Sequence, residues 1–326
     1  MAGEREARKF NQNLQFNQNL KGVSRVGAEP RATAGPAVTC EAPAKINLYL
    51  HVTGRRADGY HLLDSLFVFP RFGDRVEVRE SSGFRLHVDG PFADRVPGGD
   101  DNLVLRAARA MADEFGLGGA DMRLSKAVPV AAGLGGGSAD AAATLRGLAR
   151  MAGIDSGNAR VRALANDLGA DVLACLVGGA LQVSGIGGEV RAVSGLPELP
   201  LILVNPGRPV STAAVFHGLA AAATPFSGPA PLDRTDLGVG GLTGLVAALA
   251  ERRNDLEGPA VALAPEIGPV LDELRRLDGC LLARMSGSGA TCFALCASIE
   301  AAERGARRLH RRHAGWWVVA TSCDAI

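Results

Sequence analysis

The 326-residue chain is poor in several things, and each shortage narrows what it can be. Lysine is scarce: of 35 basic residues, all are arginine except Lys9, Lys21, Lys45 and Lys126. Where arginine is the default cation, a lysine in the folded body marks a place that calls for a compact point charge rather than a planar fork. Neither sign of charge is in excess. The net charge is +1, without the strongly basic face of a nucleic-acid footprint, so no nucleic-acid partner is expected. No apolar run approaches the ~20 residues of a membrane span, so no membrane partner is expected either. The six cysteines (Cys40, Cys175, Cys280, Cys292, Cys296 and Cys323) form no CxxC pair. Cys292 and Cys296 lie in the apolar run TCFALC, where buried structural thiols are expected and metal ligation is the alternative. No secretory signal is in view, and a reducing cytoplasm is the expected compartment.

Glycine, by contrast, is abundant: 42 residues, gathered in a few loops. With 47% hydrophobic residues the chain is long enough for about two domains of ~100–200 residues each. The expected division is a disordered tail over 1–37, one domain over 38–198 and a second over 199–326. The tail holds the near-repeat NQNLQFNQNL, six basic residues against three acidic, and no hydrophobic period. A transit peptide or a misplaced start codon is the alternative for it.

Alternation of Ile46, Leu48, Leu50 and Val52 predicts a strand with one buried face, Lys45 and Asn47 sharing the other. Strands are predicted at SLFVF, RVEVRE, FRLHVD and MRLSK. A helix is predicted over 102–115, where Leu103, Ala107, Met111 and Phe115 recur at spacing four. Further helices are expected over 139–151 and 158–168, the second stopped by Gly169. LPLILVNP reads as a buried strand opening the second domain. Helices near 211–223, 242–252, 266–277 and 298–309 and strands at LLARM, TCFALC and WWVVA follow it. This segregated order predicts α+β layers rather than strict βαβ alternation.

The most informative stretch is PVAAGLGGGSADAAATLRGLARM. Gly133, Gly135, Gly136 and Gly137 precede an alanine-rich helix expected to open at Ser138. Glycines let the backbone approach a ligand closely, and the free N–H groups of a helix start bind phosphate. Ser138 would cap the helix or contact a phosphate oxygen. Neither a Walker A ending, GK[ST], nor a GxGxxG pattern is present. A plain flexible loop before a capped helix is the alternative.

APAKINLYL, GLGGGSADAA and MSGSGAT together resemble the three motifs of the GHMP kinase superfamily. GRRADGYHLLDSLF, LGADV and RNDLE narrow the resemblance to a branch acting in non-mevalonate isoprenoid biosynthesis, and the match runs from about Cys40 to the C-terminus. The resemblance implies a two-lobed fold, with an N-terminal ATP-binding domain, a ferredoxin-like C-terminal domain and the site in the cleft between them. It implies ATP as phosphoryl donor and, as acceptor, the carbon-2 hydroxyl of a methyl-erythritol carrying cytidine diphosphate. Mg²⁺ is expected with ATP, bridging phosphates, although no set of protein carboxylates stands out to hold it.

By the same resemblance Asp171 is the catalytic base and Lys45 the catalytic lysine that steadies it. The ATP loop comprises Pro129, Val130, Ala131, Ala132, Gly133, Leu134, Gly135, Gly136, Gly137, Ser138 and Ala139. Asn47, Tyr60, His61, Phe67, Thr212 and Phe216 are substrate contacts, with Tyr60, His61 and Phe216 on the cytidine. Local readings stand beside these: a turn aspartate for Asp171, core packing for Phe67 and Phe216, and a helix cap for Asn254 and Asp255. Lys126 is either a phosphate holder or a surface lysine. Gly287 and Gly289 form either a hairpin turn or a loop that closes on the phosphates or buttresses the first loop. One departure is Leu173, where the family has proline, which is expected to loosen the backbone beyond Asp171. The rival functions are another GHMP alcohol kinase, of the homoserine or mevalonate type, and a catalytically silent ATP sensor.

Overall fold

The computed structural model describes residues 36–222, 225–232 and 240–326. The expected tail falls almost wholly on residues 1–35, outside them. In chain order the first half comprises β1 Val38–Pro43, β2 Ile46–Arg55, β3 His61–Val68, β4 Gly73–Ser81, β5 Arg85–Asp89, α1 Leu103–Phe115, β6 Gly119–Ser125, α2 Gly136–Met151, α3 Ala159–Leu168, α4 Ala170–Val177, β7 Ala180–Gly185 and β8 Glu189–Val193. The second half comprises β9 Leu199–Asn205, α5 Thr212–Ala221, α6 Gly241–Ala250, α7 Glu257–Leu263, α8 Ile267–Arg275, β10 Cys280–Met285, β11 Cys292–Cys296, α9 Ile299–Arg312 and β12 Trp317–Cys323.

The strands form three four-stranded sheets, ordered β1-β4-β6-β5, β2-β3-β7-β8 and β10-β11-β9-β12. In the last, the chain order of the four strands is 4-1-3-2 when counted from the β12 edge, and every pairing is antiparallel. With a helix following β9 and another following β11, this is the ferredoxin-like β-α-β-β-α-β layout. Sheets and helices are segregated as the α+β reading expects.

Local chemistry explains the elements that place the site. Asn102 caps α1 by accepting the Val104 N–H at 2.8 Å. α2 is buried on several sides by small residues (Ala139, Ala141, Ala142, Ala143 and Ala149, all fully buried), lying against β1 and β4, where Gly147 meets Val78 and Cys40, and against α1 and α4, so the glycine loop is fixed to the core rather than left on the surface. A third core cluster joins the two halves of the chain, with Ile46, Leu48 and Leu66 meeting Leu201, Leu203 and Phe293.

That cluster corrects one expectation. β2 is buried on both faces from Ile46 to Val52, not on one. Its second face is covered by the β10–β11 turn, which lies 239 residues on where the Ser286 hydroxyl accepts the Asn47 N–H. A helix that the pattern hides is α4: it starts directly at the glycine that stops α3, with no linker between them. Cys292 and Cys296 are buried as expected, and burial pushes the Cys296 thiol up to about 12.

Candidate active site

A cleft of about 530 Å³ opens beside the glycine loop, and its lining combines the loop, Lys45, Asn47, Phe67, Asp171 and Phe216. The loop supplies residues 129–133 and 135–138 to it. Leu134 and Ala139 do not line it; both are buried in the cores beneath. α2 begins at Gly136, three residues earlier than the expected start, because Gly135 takes the left-handed conformation (φ 61°) as its N-cap. Ser138 is therefore inside the first turn and makes no cap bond. The first intrahelical bond runs from the Ala139 N–H to the Gly135 carbonyl at 2.9 Å. The amides of Gly136, Gly137 and Ser138 are thus left without helical acceptors, at the positive end of the helix dipole, in the geometry that favours phosphate. Ahead of them Ala131 is held at φ 53°, a conformation costly for a residue with a Cβ.

The turn between β10 and β11 is both a hairpin turn and a buttress, so two of the expected roles meet in one segment. Ser286 Oγ donates to the Gly133 carbonyl at 3.1 Å, and the Thr291 N–H donates to the Ala132 carbonyl at 3.2 Å. The approach is so close that a Cβ on Gly133 would lie 2.5 Å from the Ser286 carbonyl oxygen. Asn254 holds this turn from behind: its amide donates to the Met285 and Gly287 carbonyls, each at 2.8 Å. Of the expected helix cap, Asn254 makes the bond: its Oδ1 accepts the Leu256 N–H at 3.0 Å just ahead of α7, which starts at Glu257. Asp255 does not cap and accepts the Val52 N–H at 2.7 Å instead.

Lys45 and Asp171 face each other across the loop. Lys45 Nζ lies 3.5 Å from Asp171 Oδ2, with the lysine side chain buried and the aspartate 44% exposed to the cleft. A Cβ on Gly135 would meet Lys45 Cε at 3.1 Å, so glycine here is what lets the lysine lie against the loop. Lys45 is aimed by Asn47 Oδ1, which accepts from Nζ at 3.0 Å, while Asn47 Nδ2 donates to Ser65 Oγ at 2.9 Å. The Phe67 ring lies under the ammonium, 4.4 Å from Nζ to the centroid. Asp171 sits in the first turn of α4 rather than in a loop. The loosening expected from Leu173 is absent: the Val172 and Leu173 N–H groups donate to the Gly169 carbonyl at 2.9 and 3.2 Å, and the second bond is one a proline cannot make.

Lys126 is neither a surface lysine nor a free phosphate holder. It is buried beneath the start of α2, with Nζ 2.6 Å from both Asp74 Oδ2 and Asp140 Oδ2. The sequence reading missed both carboxylates. The available signal was an aspartate set among alanines on the buried face of a helix, where a charge requires a partner.

At the far end of the cleft, Phe216 lines it and stacks on His61, with ring centroids 4.9 Å apart and planes 24° from parallel. Burial, and then Arg55, lowers the His61 imidazole below its ordinary value. Thr212 is tied to the third motif through Ser288 Oγ at 2.8 Å. Tyr60 is 63% exposed, and neither it nor His61 is part of the cleft lining. Among the described residues no group of three or more His, Cys, Asp or Glu side chains could hold a metal ion, and no helix is long and apolar enough to cross a membrane.

Comparison with known proteins matches residues 102–179 to the GHMP kinases N terminal domain and residues 241–315 to the GHMP kinases C terminal domain. The 4-diphosphocytidyl-2-C-methyl-D-erythritol kinase of Parvibaculum lavamentivorans is 50% identical over 286 residues, covering 87% of this chain and 97% of that one. A crystal structure of 4-(cytidine 5′-diphospho)-2C-methyl-D-erythritol kinase superposes with a TM-score of 0.72 at 35% identity, covering 88% of this chain and all of that one. The homoserine kinase of Cytophaga hutchinsonii shares the fold, with a TM-score of 0.65 at 18% identity and 91% of this chain covered.

Proposed function

Because the chain belongs to the 4-diphosphocytidyl-2-C-methyl-D-erythritol kinase family of the GHMP kinases, we infer that it transfers the γ-phosphoryl group of ATP to the carbon-2 hydroxyl of 4-diphosphocytidyl-2-C-methyl-D-erythritol, a step of non-mevalonate isoprenoid biosynthesis. The observation that carries the chemistry is the Lys45–Asp171 pair, 3.5 Å apart against Gly135 at the mouth of the phosphate loop.

Phosphoryl transfer rests on positioning and charge stabilisation more than on covalent chemistry. The amides at the start of α2 hold the ATP phosphates. Lys45, fixed by Asn47, presents its ammonium to the γ-phosphoryl oxygens as negative charge shifts onto the leaving group. Asp171, open to the cleft, orients the acceptor hydroxyl and takes its proton as the new O–P bond forms. Mg²⁺ enters with the nucleotide as part of that substrate, bound chiefly by phosphate oxygens. Residues 38–198 form the ATP-binding lobe and residues 199–326 the second, and the reaction takes place in the cytoplasm.

At the acceptor end, His61 and Phe216 offer flat faces for a cytosine ring, Tyr60 stands at its edge, and Thr212 and Phe67 border the alcohol. The rival alcohols, homoserine and mevalonate, have no base to place there. The test is an ADP-release assay with MgATP against the cytidine diphosphate alcohol, homoserine, mevalonate and cytidine-free erythritols. Turnover confined to the cytidine diphosphate alcohol is the expected result. Phosphorylation of homoserine or mevalonate in its place would overturn the assignment, and ATP binding without turnover on any alcohol would favour the silent sensor.

A further inference from the structure

Beneath the phosphate loop lies a charge imbalance that the phosphoryl-transfer chemistry does not use. Lys126, Asp74 and Asp140 form a dry triad, with side chains 3%, 0% and 4% exposed. The two carboxylates differ. Asp74 is fully engaged: Oδ2 meets Lys126 at 2.6 Å, and Oδ1 accepts the Ala127 and Val128 N–H groups at 2.6 and 2.8 Å. Asp140 has one donor, Lys126, at 2.6 Å to Oδ2, with the Asp74 carboxyl beside it, and its buried Oδ1 has no hydrogen-bond partner.

Two ionised carboxylates against one ammonium leave one surplus negative charge in a nearly buried place. That charge lies directly under the anion site, since a Cβ on Gly136 would be 3.0 Å from Lys126 Nζ and 3.6 Å from Asp74 Oδ2. Asp140 itself contributes to the cleft lining. The other groups facing this floor do not cancel the surplus. Cys175 on α4 is an uncharged thiol, its ionisation pushed far up by burial. Lys45 and Asp171 oppose each other at the mouth, and Asp101, ahead of α1, adds a further carboxylate to the lining.

We propose that Asp140 is a proton-bearing positioning residue, and that nucleotide binding at the glycine loop draws a proton from solvent onto its unpartnered oxygen. The proton turns the Lys126–Asp74–Asp140 floor from net negative to neutral, so the helix start meets the phosphates without an opposing charge below it. Burial, chiefly, pushes the Asp140 carboxyl up to about 7; Lys126 pulls it down and Asp74 pushes it further up. The equilibrium is therefore poised where a bound polyanion tips it. This proposal rests on the reading that ATP phosphates sit at the start of α2.

The experiment is calorimetric titration of the full chain with MgATP, without the alcohol, in buffers of different ionisation enthalpy at pH 7 and pH 8. By proton linkage, the wild type is expected to take up a fraction of a proton at both pH values, at most about half at pH 7. Asp140→Asn is expected to bind MgATP with that uptake gone; proton exchange by the nucleotide itself is common to both proteins and cancels in the difference. Equal proton counts in the two proteins would overturn the proposal. Failure of the wild type to bind MgATP at all would instead remove the ATP-site reading on which it stands. Should Asp140→Asn not fold, carbon-13 NMR of aspartate carboxyls in the wild type decides. A buried carboxyl titrating near neutral pH and moving upward with MgATP supports the proposal, and its absence overturns it.

Discussion

The folded body has two lysines, and they border the same glycine loop in opposite ways. Lys45 stands at the mouth of the cleft, held by the neutral amide of Asn47 and 3.5 Å from a carboxylate that is 44% exposed. Lys126 stands at the floor, 2.6 Å from each of two carboxylates that are nearly inaccessible. The loose pair retains a carboxylate that a substrate can reach. The tight triad is nearly closed to a substrate and instead fixes β4, the end of β6 and the start of α2 to one another. The comparison teaches that one rare residue type, placed at one loop, leaves a carboxylate open to the cleft or locks it into the core according to how closely the pair is buried.

Breaking the floor is expected to have the larger effect on folding. Lys126→Met leaves two buried carboxylates without a cation, and the expected loss is about 3–5 kcal/mol, read as a lowered midpoint in urea unfolding. A midpoint at the wild-type value would mean that the triad is not structural. Breaking the mouth has the reverse signature. Lys45→Ala is expected to lower kcat by about 10²–10³ with little change in the unfolding midpoint, and a loss of stability with turnover preserved would exchange the two roles.

Part of this contrast was open to inspection in the sequence and part was not. The scarcity of lysine singled out both residues, and the glycine run marked the loop and helix start that border the cleft. The alternation in β2 promised one solvated face for Lys45 and Asn47, yet both are buried. Asn47 is covered by Ser286 and Gly287, more than two hundred residues later, and Lys45 by Gly135 and the Phe67 ring, and no local period carries that information. Asn254 was legible by half for the same reason: its Oδ1 makes the local bond to the Leu256 N–H that its neighbours suggested, whereas its amide holds the distant carbonyls of Met285 and Gly287. Leu173 looked like a weakness because proline rigidity was weighed without the helical bond its N–H makes to Gly169. Asp140 left a legible trace, a lone acid inside ADAAAT, but its partners Asp74 and Lys126 lie on a separate strand and loop.

Smaller effects sharpen the comparison further. Phe216→Ala removes the ring stacked on His61. Base stacking is worth about 1–3 kcal/mol, so KM for the cytidine diphosphate alcohol is expected to rise by about 5- to 150-fold. KM for ATP should be unchanged, and an equal rise in both would move Phe216 out of the acceptor end. The smallest effect concerns pH. The Asp140 carboxyl lies above its unfolded value, so the folded state binds more protons between the two values, and stability falls as pH rises through that interval and levels off above about 7. Urea midpoints from pH 5 to 8 should decline more for wild type than for Asp140→Asn, and parallel slopes would show that Asp140 ionises as an ordinary surface acid does.

The central claim is that Asp171 performs chemistry at the mouth of a loop that binds ATP without it. Its most direct test is to measure, on one preparation of Asp171→Asn, both the affinity for MgATP and kcat on the cytidine diphosphate alcohol. Nucleotide affinity within about twofold of wild type and kcat lowered by about 10²–10⁴ is the predicted result. Wild-type turnover, or a loss of ATP affinity large enough to explain the loss of rate, would contradict it.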